Sequence, residues 1–283
     1  MVYLNGRFLP LGEASVPVLD RGFIFGDGVY ELIPVYSRRP FRLEEHLRRL
    51  QHSLDGIRLS NPYGPEEWAL RIGELIARNT PEDQSLYLHI TRGVARREHA
   101  FPQGVPPTVF MMSSPMSSAP EDSLARGVAA ITAEDNRWLR CDIKAISLLP
   151  NVLLRQLAVD AGAAETVLLR NGFLSEGAAS NIFVVQDGTL LAPPKGHLML
   201  PGITYDVVLE LAAAGGIPYQ VRPIPETTVR RADELWLTSS AKEIQAITQL
   251  DGKAVGLGQP GPLFARMRHL YQDYKTTVMR GSA

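Results

Sequence analysis

The stretch Glu165-Thr-Val-Leu-Leu-Arg-Asn-Gly-Phe-Leu-Ser-Glu-Gly-Ala-Ala-Ser-Asn-Ile-Phe-Val-Val-Gln-Asp-Gly-Thr-Leu-Leu191 decides the fold class. It reads as consecutive strands, with Asn171-Gly172 and Asp187-Gly188 supplying the turns, because both dipeptides tolerate the positive φ that tight hairpins need. Helices therefore do not alternate strictly with strands. Before this stretch the pattern predicts a strand over 127–131 and a helix over 151–161. After it come a helix over 205–214, entered through Leu200-Pro-Gly-Ile-Thr204, a strand over 234–238, a turn at Asp251-Gly252 and a closing helix over 262–278. The N-terminal part opens with a hairpin around Asn5-Gly6, then a strand over 28–36 in which Pro34 suits an edge or a bulge. Apolar residues at Leu43, Leu47, Leu50, Leu54 and Ile57 have helical spacing, and a second helix is predicted over 65–78. Strands are predicted over 86–91 and 108–112. The Ser, Pro and Met residues of 113–123 read as a connection. The expectation is a mixed α/β, α+β chain with a smaller domain over 1–115, a linker over 116–123 and a larger domain over 124–283.

The chain has 283 residues, enough for about two domains, and can bury a core without staples. Hydrophobic residues make up 45% and charged residues 21%, as in ordinary globular proteins. The net charge of −1 speaks against nucleic-acid binding through bulk charge. It also does little to oppose self-association. With a single cysteine, Cys141, an intrachain disulfide and a multi-cysteine zinc site are both excluded. The six histidines are scattered, none at metal-ligand spacing, and no metal is expected. No apolar run is long enough for a membrane span, and Met1-Val-Tyr-Leu-Asn-Gly-Arg7 has no signal-peptide pattern. The expected location is the cytoplasm.

Dinucleotide, P-loop and H-E-x-x-H motifs are absent. Ser239-Ser-Ala-Lys242 fits the short S-x-x-K pattern of serine acylases, without the companion motifs. Ser240-x-x-Glu243 reads better as a capping box at a helix start. Only five lysines face 24 arginines. One of them, Lys144, lies in the apolar stretch Cys141-Asp-Ile-Lys-Ala-Ile-Ser-Leu-Leu149. A lysine there either snorkels to water or is desolvated, and a desolvated amine is a nucleophile.

Five segments, in order along nearly the whole chain, resemble the class IV, fold-type IV pyridoxal-phosphate aminotransferases, and within them the D-amino acid branch. They are Phe25-Gly-Asp-Gly-Val-Tyr-Glu31, His46-Leu-Arg-Arg-Leu50, Arg140-Cys-Asp-Ile-Lys144 with Asn151-Val-Leu153, Ser175-Glu-Gly-Ala-Ala-Ser-Asn181, and Leu200-Pro-Gly-Ile-Thr204. The resemblance implies a two-domain fold-type IV enzyme using pyridoxal 5'-phosphate. Lys144 would be the lysine that attaches to the cofactor aldehyde and later moves the Cα proton, and Glu176 would face the pyridine nitrogen. Arg49, the amides of Ile203 and Thr204, the Thr204 hydroxyl, Ser239 and Ser240 would hold the phosphate, and Leu200 would pack on the ring. Taken singly, Arg49 reads as a solvated helix residue, Glu176 as a turn carboxylate, and Thr204, Ser239 and Ser240 as caps.

Arg97-x-His99 resembles the pair that the D-amino acid branch uses, together with Tyr30, to hold the substrate α-carboxylate. The resemblance implies that this pair serves the neighbouring subunit of a homodimer. The site would then lie between the domains and at the subunit interface. The substrates would be a D-amino acid such as D-alanine and a keto acid such as 2-oxoglutarate, in ping-pong order. Leu149, five residues after the lysine, stands where branched-chain aminotransferases usually carry tyrosine. Ser147-Leu-Leu-Pro150 lacks the N-R-x-E stretch of aminodeoxychorismate lyases. Those two reactions are the near alternatives, and a non-catalytic cofactor-binding protein is the remote one. Pro150 before Asn151, Ala145-Ile-Ser147, Arg96 and Ala241 depart from the family pattern.

Overall fold

Asn5 and Gly6 both take positive φ and close the first hairpin, β1 (Val2–Leu4) against β2 (Arg7–Leu9). The computed structural model describes residues 1–116 and 121–281. These fall into two units. The first comprises Met1–Ser117 with Ile143–Leu148, and the second Ser118–Asp142 with Leu149–Ala283. A contiguous second domain over 124–283 thus gives up the Lys144 segment to the first unit. Of the linker expected over 116–123, residues 117–120 lie outside the described residues. The strand before it runs to Pro115, so the Ser-rich start of the 113–123 stretch is sheet rather than loop.

The first unit continues with α1 (Arg21–Phe25), β3 (Gly28–Tyr36), β4 (Arg39–Pro40), α2 (Leu43–Gly56), α3 (Pro65–Ala77), β5 (Gln84–Thr91) and β6 (Thr108–Pro115). Its six described strands form an antiparallel sheet in the order β2-β1-β6-β5-β3-β4. Alternation along β5 buries Leu86, Leu88 and Ile90 against Leu50 and Leu54 of α2 and Ile72 and Leu75 of α3. The same core takes in Ile143, and this apolar anchor draws the Lys144 segment to the first sheet.

The second unit holds α4 (Glu121–Arg126), β7 (Val128–Glu134), α5 (Leu149–Asp160), β8 (Glu165–Arg170), β9 (Phe173–Gly177), β10 (Asn181–Gln186), β11 (Thr189–Ala192), α6 (Ile203–Ala214), β12 (Tyr219–Val221), α7 (Glu226–Arg230), β13 (Glu234–Ser239), β14 (Glu243–Leu250), β15 (Lys253–Ala254) and α8 (Pro262–Tyr274). Its described strands make one mixed sheet, β12-β11-β10-β13-β14-β7-β8-β9, with β15 on β14. The strands expected over 165–191 are β8 to β11. The capping box expected at Ser240 is not one. Residues 240–242 turn between β13 and β14, which pair antiparallel from Ser239 opposite Glu243. Glu243 starts that strand at positive φ, and its carboxylate accepts from Gln272 and Lys275 instead of reaching back to a helix start. Among the described residues no helix is long and apolar enough to cross a membrane.

Gly93 stands at φ +90°, and a Cβ there would lie 2.1 Å from the Pro106 carbonyl oxygen. Gly93→Ala should therefore cost about 2 kcal/mol or more in stability, read as a lower urea midpoint at unchanged slope.

Candidate active site

In the first unit the Lys144 backbone is clipped to β3. The Tyr30 N–H donates to the Lys144 carbonyl (2.9 Å), the Ile146 N–H to the Gly28 carbonyl (3.1 Å), and the Lys144 N–H to Ser53 Oγ (3.1 Å). Gly28 is needed there, since a Cβ would sit 2.4 Å from the Ile90 carbonyl oxygen. The clip lays the half-buried Lys144 ammonium over the Tyr30 ring, 4.1 Å from its centroid. Tyr30 in turn packs on Tyr87, whose hydroxyl meets His89 Nδ1 at 2.8 Å. Lys144 and Tyr30, both expected in the site, are thus neighbours.

Behind β3, Arg49 is not a solvated helix residue. Its Nε and Nη2 each donate to the buried Glu31 carboxylate at 2.8 Å, and the His46 ring meets Glu31 Oε2 through Nδ1 at the same distance. Burial acts to raise the Glu31 carboxyl, but Arg49 and His46 outweigh it and hold the group well below the usual carboxylate range. Burial lowers His46, against the pull of Glu31. A neutral His46 therefore donates from Nδ1, and its buried Nε2 has no hydrogen-bond partner among the described residues.

Arg97 and His99 lie in the irregular segment between β5 and β6, both exposed. Both lie against the half-buried Phe25 ring. The Arg97 guanidinium is 5.5 Å and the His99 ring 5.3 Å from its centroid.

In the second unit Glu176, 4% exposed on β9, is no turn carboxylate. It accepts from Arg137 Nη1 (2.7 Å), the Leu200 N–H (3.1 Å) and Asn181 Nδ2 (3.3 Å). Arg137 is fixed in turn by a fork onto Asp135, which also takes Arg170 and the Ser175 hydroxyl. Burial acts to raise Asp135, but the Arg137 fork outweighs it and holds that carboxyl well below the usual range. For Glu176 burial wins, pushing the group up to about 7 against Arg137 and the Leu200 amide. The Leu200 carbonyl also accepts from Asn181 Nδ2, so Leu200 is held from both backbone groups.

Ile203 and Thr204 are the first two residues of α6. The N-cap is Gly202, in extended conformation, and not Thr204, and no side chain caps this end. The twelve-residue helix therefore presents uncapped backbone N–H groups, which suit a phosphate. At Gly202 a Cβ would lie 2.0 Å from Asn181 Oδ1, so the chain passes there only because the residue is glycine. Ser239 and Ser240 sit half-buried at the β13–β14 turn, where the Ser239 hydroxyl accepts from the Lys242 N–H. The Lys242 ammonium turns to the Ala164 carbonyl (3.4 Å) and to Glu165 (4.0 Å), which pairs it with groups other than the Ser239 hydroxyl of the S-x-x-K pattern.

The donor set fits pyridoxal phosphate. A buried carboxyl that binds a proton near neutral pH matches a pyridine nitrogen that must be protonated. The buried Thr238 Oγ1 has no partner among the described residues, and its strand position pairs with Asn181, putting both side chains on one face of the sheet. Sequence reading missed Thr238, along with Arg137, Asp135 and Arg170. A hydroxyl in the run Thr238-Ser-Ser240 is a weak signal. Arginines and aspartates look alike in sequence whether solvated or buried.

A lysine over a tyrosine in the first unit, and a proton-binding buried carboxyl and an uncapped helix N-terminus in the second, are groups of the kinds that pyridoxal phosphate can use. The comparisons agree. The family described as Amino-transferase class IV matches residues 28–250, and the chain belongs to that family of pyridoxal-phosphate aminotransferases. It is 39% identical over 272 residues to the D-alanine aminotransferase of Bacillus licheniformis, covering 96% of both chains. It is 36% identical to that of Staphylococcus haemolyticus over 96% of this chain and 97% of the relative. Among solved structures, the branched-chain amino acid aminotransferase of Escherichia coli superposes with a TM-score of 0.90 at 28% identity, covering 96% and 93% of the two chains. The branched-chain amino acid aminotransferase of Thermoproteus uzoniensis, solved with norvaline, gives 0.87 at 28% identity, covering 99% and 95%.

A carboxyl at about 7 in the folded chain against 4.5 unfolded binds its proton more tightly in the native state. Stability should therefore fall as pH rises from the unfolded value through the folded one. In the cofactor-free protein, the stability of wild type relative to Glu176→Gln should drop by about 2–3 kcal/mol between pH ~5 and ~8, as measured by urea unfolding across that range.

Proposed function

We propose that the chain is a homodimeric D-amino acid aminotransferase, moving the amino group of D-alanine or a similar D-amino acid to a keto acid such as 2-oxoglutarate. The observation that carries the substrate assignment is the meeting of Arg97 and His99 on one ring, Phe25, in one loop. An arginine and an imidazole that share one ring suit a carboxylate, and fixing the carboxylate fixes which Cα bond faces the base. The curated relatives, named D-alanine aminotransferases, support the same reading.

The bound cofactor supplies an electron sink for the pair left when the Cα proton departs. Lys144 takes that proton on Nζ and returns it, with Tyr30 holding the amine in place. Glu176 keeps a proton at the ring nitrogen, steadied by Arg137 and the Leu200 amide, while Leu200 covers the ring. The N–H groups of Ile203 and Thr204, the Thr204 hydroxyl, Ser239, Ser240 and the rigidly paired Arg49 take the phosphate. Arg97 and His99 of one subunit, with Tyr30 of the other, bind the substrate α-carboxylate.

Dimerisation is supported by exposed apolar side chains at Val18, Leu19 and Phe23, with Phe101 in the Arg97 loop. The Ala95 N–H donates to the Leu19 carbonyl, so this patch adjoins the loop. We place the enzyme in the cytoplasm. The solved structures raise the branched-chain L-amino acid reaction as the competing reading on the same fold.

The test is turnover with 2-oxoglutarate, comparing D-alanine with L-leucine. D-Alanine should be the faster substrate, and Lys144→Ala should abolish its turnover. Arg97→Ala should raise KM for D-alanine by about 10–100-fold, the cost of a lost charge-assisted contact. Faster turnover of L-leucine would overturn the assignment.

A further inference from the structure

Arg97 and His99 are exposed, and the loop that carries them has little backbone to hold it. Its start is fastened by the Arg21 N–H on the Gly93 carbonyl (2.9 Å) and the Ala95 N–H on the Leu19 carbonyl (3.2 Å). From 96 to 107, no backbone-to-backbone hydrogen bond occurs among the described residues. The carbonyls instead turn to one buried side chain. Arg21, 3% exposed, donates from Nη1 to the Glu98 carbonyl (2.5 Å) and to the Ala100 carbonyl (3.4 Å), and from Nη2 to the His99 carbonyl (3.4 Å). Three successive peptide groups centred on His99 thus converge on one guanidinium. That guanidinium also lies 4.8 Å from the centroid of the Phe25 ring, the ring that Arg97 and His99 share.

Arg21 is fixed by Asp27. Its Nε donates to Asp27 Oδ2 at 2.8 Å, and the same oxygen accepts from Arg92 Nε at 2.8 Å, with Arg92 Nη2 on Oδ1 at 3.0 Å. Arg92, 6% exposed, is anchored on the carbonyls of Ile57 and Arg58 at the end of α2. Its guanidinium lies 3.7 Å from the centroid of Phe101, two residues past His99, and the Arg58 guanidinium lies 5.4 Å from it. The loop is gripped on both sides of His99 by buried cations that share one carboxylate oxygen.

We propose that Arg21 and Arg92, bridged by Asp27, are positioning residues for substrate-carboxylate recognition, setting the loop so that Arg97 and His99 stand ready before substrate arrives. The proposal rests on the assignment of Arg97 and His99 to the α-carboxylate. Holding a loop in its binding shape removes the ordering cost from the binding step. A lysine at position 21 keeps the charge but cannot spread over Asp27 and three carbonyls, because only a guanidinium carries that planar fork.

The experiment compares Arg21→Lys, Arg97→Ala and the double variant as holoenzymes, reading KM and kcat for D-alanine. Hydrogen exchange of the two bonded amides at the root of the loop, Ala95 on the Leu19 carbonyl and residue 21 on the Gly93 carbonyl, is followed in holo and cofactor-free protein. Arg21→Lys should raise KM about tenfold, with the loss falling mainly on KM, and should speed that exchange in both forms. The double variant should be little worse than Arg97→Ala alone, since a loop without its arginine has less to position. Wild-type KM and exchange in Arg21→Lys, beside a raised KM in Arg97→Ala, would overturn the proposal and leave the functional reading standing. An unchanged KM in Arg97→Ala would overturn both. Should Arg21→Lys not fold, Asp27→Asn removes the bridge at nearly constant volume. The same changes are expected from it, and wild-type behaviour would overturn the proposal.

Discussion

Two backbone hydrogen bonds, Tyr30 N–H to Lys144 carbonyl and Ile146 N–H to Gly28 carbonyl, carry the rest of the structure's chemistry. They take a segment that follows the second unit's first strand in the chain and fasten it to the first unit's sheet, with Ile143 driven into that unit's core. Backbone bonds fix position more tightly than a long side chain can. A flexible lysine held this way at its Cα keeps four carbons of reach while its root stays in place. A reactive amine that must bond to a cofactor and then carry a proton needs that combination.

Three charge clusters, two in the first unit and one in the second, pair their buried ions. Glu31 is matched by Arg49 and His46, Asp135 and Glu176 by Arg137 and Arg170, and Asp27 by Arg21 and Arg92. Burying such groups is costly, and apolar residues of similar volume would often be as stable or better. Geometry is what the clusters supply. Each fixes a group of the proposed site: Arg49 for the phosphate, Glu176 for the ring nitrogen, the 97–99 loop for the substrate. The Glu176 cluster stands apart because burial overrides its partners, leaving a carboxyl that can still exchange a proton near neutrality.

What the sequence made legible was local or periodic. Asn5-Gly6, Asn171-Gly172 and Asp187-Gly188 fall at hairpin turns because turn geometry depends on those residues alone. The Leu43–Ile57 spacing lands on α2 because one apolar stripe faces one core. Ser240-x-x-Glu243 misled because four residues at cap spacing also fit a turn into a strand. The β-branched Ile244, Ile247 and Thr248 beyond it were the better guide. Arg21, Asp27, Arg92, Asp135 and Arg137 were illegible as functional residues. Their burial comes from segments far away in the chain, and a charged residue reads as surface until those segments are in place.

The most direct measurement of the central claim is the visible absorption of the purified protein after cofactor is added, before and after D-alanine or L-leucine without any keto acid. The expected result is a band from the cofactor attached to Lys144 that D-alanine bleaches and L-leucine leaves in place. Bleaching by L-leucine alone, or no band at all, would contradict it.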